Sequence, residues 1–498
     1  MSKSFAVLLL VFAPAVLAQP RPFTLDDEMK LRTIVDVKIS PDGQQVAYVV
    51  STPNLDKNQH EGALYIGSTR LGEKLRIFNT PIPAPRLRWS PDGTMLSLLA
   101  FAGDKPQIFA IPISGGEPRA LTEASEGVSG FEWSPNGKSI AYLTRDPTAK
   151  PLVIHADAPD NPTRIAARSI EGGPARTLTP TSHYVDSFSW APDGSEIVYA
   201  AASRSGFTSQ YDTRIYAIDV EGRGPPRQIV DRPGMNTKPQ YSPDGKSIAF
   251  VSSNGLTDIM ATRSLDVVPA RGGESLRLLK DDAWVYEFAW ARDSKSIYLE
   301  PNDGAFASRE HMFEQPIIRV WLDGGRVDRV IPGETVDYSL SQSADGRRLA
   351  YRAVEGRTMG DIFVLDTTTG RSTKLTDINP QLHDLALGDL KAVKWRSFDD
   401  MEIWGLLLTP PGWRAGQKLP MLVYVHGGPG GGFTHGLFPQ FMHTVGQIDP
   451  YPTEALAGAG FAILFPMPRG GAGYGEAGQR AIVNSWGEAD YRDIMTGV

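Results

Sequence analysis

Short runs of alternating apolar and polar residues fill most of this chain, and glycine or proline bounds most of them. The runs at residues 46–49, 140–143, 197–200 and 248–251 follow this alternation. A period of two is typical of β-strands with one buried face. The pattern therefore predicts many short strands between residues 34 and 383.

A turn of the form Ser-Pro-Asp-Gly, usually preceded by an aromatic residue, introduces these strands. Proline presets φ at the second position, aspartate bonds back to the backbone, and glycine takes a positive φ. Five well-kept copies and two degenerate ones have their second residues at positions 40, 90, 134, 191, 242, 291 and 343. A spacing of about 50 residues is typical of propeller blades or a comparable array.

A large apolar residue lies six positions after the Asp or Asn of every turn. The seven residues are Tyr48, Leu98, Tyr142, Tyr199, Phe250, Leu299 and Tyr351. An even offset puts all of them on the same strand face, as packing between blades requires. With a second hairpin in each repeat, the pattern predicts a mainly β fold whose seven-bladed β-propeller of WD40-like or TolB-like repeats occupies residues 19–384. An array of β-sandwiches is the alternative, and it gives no reason for the recurring large residue.

The hydrophobic pattern changes after residue 385. Residues 393–408 predict a hairpin that turns at Asp399 and Asp400, and residues 421–425 and 461–465 are continuous apolar runs. Such runs are typical of strands buried on both faces of a parallel sheet. They predict the N-terminal part of an α/β-hydrolase domain over residues 385–498.

The first apolar run leads directly into His426, Gly427, Gly428 and Pro429, which more glycines follow. Backbone N–H groups in such a loop face the carboxyl edge of the sheet and can hold the oxyanion of an acyl-transfer intermediate. A phosphate cradle fits less well, because no Lys-Ser/Thr pair follows and the loop lacks G-x-G-x-x-G. A purely structural loop is the other alternative. His426 is interpreted as a structural, hydrogen-bonded residue and not as the catalytic base.

A second glycine-rich loop begins at Arg469 and ends at Gly475. We interpret Arg469 as the partner of a carboxylate, in preference to a direct substrate contact. The sequence Ser485-Trp-Gly-Glu488 then predicts a capping box that opens a helix. Tyr491, Ile494, Met495 and Val498 would form its apolar stripe.

The nucleophile motif G-x-S-x-G of α/β-hydrolases does not occur in the sequence. The predicted last helix reaches Val498 without a stop signal. We interpret the sequence as truncated, with the catalytic Ser, Asp and His expected beyond Val498.

These motifs together give a specific resemblance. The Ser-Pro-Asp-Gly repeats, the His426 loop, the Arg469 loop and the segment 486–494 resemble bacterial members of the prolyl oligopeptidase family of serine peptidases (peptidase S9), on the acylaminoacyl-peptidase and dipeptidyl-aminopeptidase side. The resemblance implies hydrolysis of short peptides, or of acylated or N-terminal dipeptides, by a Ser-Asp-His triad beneath a propeller that limits substrate size. It also implies an oxyanion hole at Gly428, beside Gly427. The alternative is a secreted propeller that binds partners and carries a vestigial hydrolase segment.

The same resemblance raises the question of how a free substrate amine would be held. Dipeptidyl peptidases of the family use paired glutamates on the propeller for this purpose. Only Glu287 stands in a superficially similar segment here, and we interpret it as an ordinary strand residue. Without a nucleophile or base, the chain alone is predicted to be inactive.

Composition narrows the partners and the compartment. A net charge of −7 without any Lys/Arg-rich run argues against nucleic acid. Lys3, the apolar run 5–17 and a cleavage site after Ala18 predict a signal peptide over residues 1–18 and export to the periplasm or beyond. No later run is long enough to span a membrane. The scattered histidines predict no metal site, no cofactor is implied, and oligopeptides are the expected partners. The oligomeric state stays open.

Overall fold

The computed structural model of the protein describes residues 20–69, 74–78, 86–147, 161–279, 284–301, 312–331, 333, 335–428, 430–439 and 451–498. The predicted signal peptide and Pro429 lie outside these residues. The described chain opens with the short strand β1 (Arg21–Pro22) and helix α1 (Leu25–Glu28).

Seven four-stranded antiparallel sheets then follow one another along the described residues, each with its strands paired in chain order. The first three sheets are β2 (Thr33–Ile39), β3 (Gln45–Asn54), β4 (Gln59–Ser68) and β5 (Lys74–Phe78); β6 (Arg88–Trp89), β7 (Met95–Ala102), β8 (Lys105–Pro112) and β9 (Arg119–Ala120); and β10 (Gly130–Trp133), β11 (Ser139–Arg145), β12 (Thr163–Ser169) and β13 (Arg176–Thr177).

The remaining four sheets have the same plan. They are β14 (Tyr184–Trp190), β15 (Glu196–Ala202), β16 (Arg214–Asp219) and β17 (Arg227–Val230); β18 (Asn236–Tyr241), β19 (Ser247–Ser252), β20 (Ser264–Pro269) and β21 (Leu276–Arg277); β22 (Val285–Trp290), β23 (Ser296–Pro301), β24 (Ile318–Trp321) and β25 (Val327–Arg329); and β26 (Thr335–Gln342), β27 (Arg348–Glu355), β28 (Asp361–Asp366) and β29 (Arg371–Lys374).

The recurring turn joins the first two strands of each sheet, as its residues predict. In the first copy, the hydroxyl of Ser40 donates to Asp42 at 2.5 Å, and the Ser40 N–H donates to the Gln45 carbonyl at 2.8 Å. Gly43 takes φ 70°. In the sixth copy Ser294 occupies the glycine position and still adopts φ 56°, so the turn keeps its shape at the cost of a left-handed conformation for a non-glycine residue.

Apolar clusters fill every interface between successive sheets, and another lies between the seventh sheet and the first. Tyr48 of the first sheet, for example, packs in one cluster with Ala350 of the seventh. A hydrogen bond from Arg348 to the Gly43 carbonyl, 2.6 Å long, joins the same two sheets. All seven large residues at the predicted position are buried. The fold is thus mainly β, with a domain of the propeller type.

The last sheet is mixed and has the strand order β31-β32-β34-β33. Strands β31 (Asp389–Arg396) and β32 (Glu402–Thr409) form the predicted hairpin, whose turn residue Asp400 has φ 63°. Strand β33 (Met421–Val423) is parallel to β34 (Ala462–Met467). The short strand β30 (Leu385–Ala386) pairs with β1, so the chain enters this region beside its first described strand.

Three helices accompany this sheet: α2 (Thr453–Gly458), α3 (Gly475–Arg480) and α4 (Ala489–Gly497). The 3₁₀ helices Phe207–Tyr211 and Pro380–Asp384 are among the described elements of the preceding region. None of the described helices has the length and apolar character that crossing a bilayer requires.

The prediction that both apolar runs are buried on both faces is right for one strand and wrong for the other. All six residues of β34 are buried. Strand β33 has only three residues, and Met421, Leu422 and Val423 are each more than a third exposed. The physical reason is position: among the described strands β33 pairs only with β34 and forms the edge of the sheet.

The predicted capping box is also wrong. Helix α4 begins at Ala489, because Gly487 takes φ 83° and cannot continue a right-handed helix. Its predicted apolar stripe is largely exposed at Tyr491, Met495 and Val498. The helix instead packs through the buried Asp493.

Candidate functional site

The two glycine-rich loops meet at the carboxyl edge of the mixed sheet. They follow β33 and β34, and parallel strands end at the same edge. The Ala472 N–H donates to the Gly431 carbonyl at 3.0 Å. A Cβ placed on Gly471 would lie 3.7 Å from His426 Cε1. The structure therefore brings together two loops that the sequence separates by about 40 residues.

The first loop exposes its beginning and buries its end. Gly427 and Gly428 are exposed, whereas Gly430 and Gly432 are buried. Gly428 has φ 96°, a conformation that L side chains rarely adopt. A Cβ on Gly432 would lie 2.2 Å from Met467 Cε, so a side chain there would have to displace the end of the Met467 side chain. The exposed backbone of Gly427 and Gly428 thus precedes a buried part of the same loop.

His426 lies at the base of this loop and is half-buried. Its ring packs edge-on against Phe433 with 5.1 Å between centroids, and its Nδ1 is 3.3 Å from the Gly427 carbonyl oxygen. Burial lowers the pKa of His426 to about 4, so the imidazole is neutral at pH 7. These contacts fit the structural role predicted for His426.

Arg469 is buried and bonds to two carboxylates. Its Nε and Nη2 donate to the two oxygens of Asp493, each at 2.8 Å, and its Nη1 and Nη2 donate to Asp399 at 2.8 Å. The guanidinium lowers the pKa of Asp399 to about 2 through these hydrogen bonds. Arg469 therefore has the kind of partner that the sequence analysis favoured. These hydrogen bonds use four of the five N–H donors of the Arg469 side chain, so its guanidinium need not contact a substrate.

Asp493 is the centre of this network, and sequence reasoning gave it no role. Its side chain is fully buried and also accepts hydrogen bonds from the Ser397 hydroxyl at 2.5 Å and from the Arg469 N–H at 2.9 Å. Its carbonyl accepts the indole N–H of Trp395 at 2.7 Å. No local pattern could have revealed these partners, because they lie far from Asp493 in sequence.

A propeller residue, Trp284, also reaches the glycine loop. Its indole N–H donates to Gln479 Oε1 of α3 at 3.1 Å, and a Cβ on Gly430 would lie 2.7 Å from its Cζ2. The sequence did not predict this contact. The only signal available was an aromatic residue directly before a blade strand.

Glu287 lies on β22, as predicted. The strand register places Glu287 opposite Glu300 of β23. A search of the sequence for adjacent glutamates could not find this pair, because the two residues lie on different strands. Glu287 forms an ion pair with Lys238 of the fifth sheet. Glu300 is buried, and its carboxylate accepts the Leu340 N–H at 2.6 Å. Both carboxylates thus have partners within the propeller.

Comparison with known proteins agrees with this architecture. The family description of the TolB beta propeller domain matches residues 34–223, which cover most of the first four sheets. The chain is 24% identical to dipeptidyl-peptidase 5 of Porphyromonas gingivalis over 94% of its own length and 71% of that protein. It is also 24% identical to the uncharacterized peptidase YuxL of Bacillus subtilis, over 95% of this chain and 75% of that one.

A solved structure has a similar fold. Acylaminoacyl peptidase in complex with Z-Gly-Gly-Phe-chloromethyl ketone superposes with a TM-score of 0.74 at 20% identity, covering 94% of this chain and 70% of that one. The homologues are thus peptidases, and the resemblance to the prolyl oligopeptidase family is confirmed.

Proposed function

From its homology to dipeptidyl-peptidase 5 and to acylaminoacyl peptidase, we propose that this chain forms the propeller and the first part of the hydrolase domain of a serine peptidase. The enzyme hydrolyses short peptides, removing acylated residues or dipeptides from their ends. Its Ser-Asp-His triad is supplied by a segment that follows Val498.

One observation carries the proposal: the exposed glycines 427 and 428 lie at the carboxyl edge of a parallel strand pair and are anchored by the second glycine loop. Acyl transfer requires fixed backbone donors at such a place, because the negative charge develops on the carbonyl oxygen. We assign one donor to the Gly428 N–H, beside Gly427. The second donor comes from the residue after the serine.

The rest of the molecule fits this proposal. The seven four-stranded sheets are taken as seven propeller blades that limit substrate size. The chain is exported, with its signal peptide removed after Ala18. His426 and Arg469 serve the fold of the two loops, because the His426 ring packs against Phe433 and the Arg469 guanidinium is paired with both Asp493 and Asp399.

The experiment is a measurement on the protein isolated from its source. We expect an intact mass well above that of the mature chain, which is the 54.3 kDa of these 498 residues less the removed residues 1–18. We also expect covalent labelling by a fluorophosphonate, which reacts with activated serines. The 498-residue chain prepared alone should neither label nor hydrolyse an acylated-amino-acid or dipeptide anilide. Turnover by that chain would contradict the absence of a nucleophile. A native mass matching residues 19–498, without labelling, would instead favour a propeller that binds partners.

A further inference from the structure

Trp284 stands where the propeller meets the mixed-sheet region. It directly precedes β22, is almost fully buried, and has the Arg263 guanidinium 4.8 Å from its ring centroid. Its indole N–H donates to Gln479, whose side chain is fully buried in α3. The ring is therefore fixed in position and orientation by partners from both parts of the molecule.

The face of the ring that approaches the glycine loop leaves no space for a side chain. A Cβ on Gly430 would lie 2.7 Å from Trp284 Cζ2 and 2.8 Å from Cη2. Glycine permits this close approach of backbone to ring. Gly430 lies two residues after Gly428 in sequence, so the ring contacts the loop close to the exposed glycines.

Helix α3, against which the ring is held, is itself attached to the propeller. Arg480 forms an ion pair with Asp258 at 3.0 Å, and Glu476 accepts a hydrogen bond from Thr262 at 3.4 Å. The Gly470 N–H donates to the Gly478 carbonyl at 2.9 Å, which joins the helix to the second glycine loop. Trp284 thus lies between a fixed helix and the first loop.

We propose that Trp284 is a positioning residue that fixes the backbone of the first glycine loop at Gly430 from the propeller side, and so holds Gly427 and Gly428 in place. It acts through the loop and does not touch reacting atoms. Oxyanion donors stabilise a transition state only when they are preorganised. The consequence for catalysis rests on the proposed function, whereas the ordering of the loop does not.

The test is amide hydrogen exchange of the 498-residue chain. In Trp284→Phe, which keeps a ring but loses the N–H, we expect exchange in a peptide covering residues 424–435 to rise about tenfold, with the propeller sheets unchanged. The control is Trp321→Phe in the same sheet, since it also deletes an indole hydrogen bond, to Asp328 at 2.7 Å. This control should leave the loop at the wild-type rate.

A second variant covers the case in which Trp284→Phe does not fold. Gln479→Leu removes the acceptor and retains the ring, and it should raise loop exchange by a similar factor. Unchanged loop exchange in the folded variants would overturn the proposal. So would an equal rise over the whole chain, since that would indicate general destabilisation.

A kinetic arm separates this inference from the proposed function. In the peptidase isolated with its nucleophile, Trp284→Phe should lower kcat about tenfold and leave KM within about twofold, because the donors act in the transition state. If the wild-type protein hydrolyses no peptide, the proposed function fails and loop exchange still decides the role of Trp284.

Discussion

The propeller sheets and the mixed sheet are stabilised in different ways. Each interface between successive propeller sheets holds its own apolar cluster, so burial is repeated around the array. Among the described residues, the mixed sheet packs in a single apolar cluster, and it has an exposed edge strand and a last helix held mainly by polar contacts. The difference teaches that repetition distributes stability over many equivalent contacts, whereas the mixed sheet depends on a few particular residues.

The largest effect is expected at the Arg469 network. Arg469→Ala leaves the carboxylate of Asp493 fully buried without its charge partner, which typically costs about 3–5 kcal/mol. Hydrogen exchange during denaturant titration should show α4 and the second glycine loop unfolding before the propeller. The control Lys391→Ala, in an exposed ion pair of the same sheet, should cost less than about 1 kcal/mol. Equal effects of the two variants would contradict the claim that the mixed sheet depends on a few particular residues.

The two regions should respond to pH with opposite signs. Burial raises the pKa of Asp337, Glu132 and Glu300 in the propeller to about 7. The native state then holds protons that the unfolded state has lost, so propeller stability should fall as pH rises from about 4 to 7, by roughly 1 kcal/mol or more. Asp399 beside Arg469 has a lowered pKa, so its contribution is present above pH 4 and disappears on acidification towards pH 2.

Denaturation at pH 5 and pH 8 measures the slope of the propeller, and denaturation at about pH 4 and about pH 2 measures the contribution of Asp399 in the mixed-sheet region. The variant Asp337→Asn should flatten the propeller slope, because the amide oxygen can still accept from the Ile317 N–H while no charge is buried. The control Asp323→Asn changes an exposed residue and should leave the slope as it is. A propeller that gains stability between pH 5 and pH 8 would show that groups other than Asp337, Glu132 and Glu300 determine its pH dependence.

A smaller effect is expected at a single propeller turn. Gly245→Ala forces alanine to φ 70° without a collision, since the nearest atom to the new Cβ is 3.9 Å away. The expected cost is about 1 kcal/mol in a denaturation midpoint. The control Gly130→Ala, at a glycine without positive φ, should change stability by less than about 0.5 kcal/mol. The array already tolerates this defect at Ser294, so a complete loss of folding would contradict distributed stability.

The smallest effect on folding is expected at the exposed edge strand. Leu422→Lys should change the free energy of unfolding by less than about 0.5 kcal/mol, since Leu422 is 39% exposed. It should nevertheless reduce self-association severalfold in light scattering, because a charge on an open edge opposes strand pairing. The control Leu276→Lys on β21 changes a propeller leucine that is more exposed, at 53%, and should have no such effect. A similar reduction by both variants would mean that the edge strand β33 contributes no more to self-association than the propeller strand β21.

Local patterns predicted the propeller part well and the mixed sheet only partly. The turns at Ser40 and its counterparts are predictable from the sequence, because proline, aspartate and glycine each favour the backbone conformation of their position in the turn. The apolar run at 421–425 carries no information on how many neighbours a strand will have. The same holds for α4, where the positive φ of Gly487 overrode the predicted cap.

By itself, the sequence determined the turns, the strand alternation, the buried position of residues such as Tyr199, and the glycine loop after β33. These features depend on contacts within a few residues or on a repeated period. Only the tertiary structure decided that Arg469 bonds to Asp493 and Asp399 and that Trp284 lies against Gly430. Those contacts join residues far apart in sequence, and the geometry of packing selects their partners.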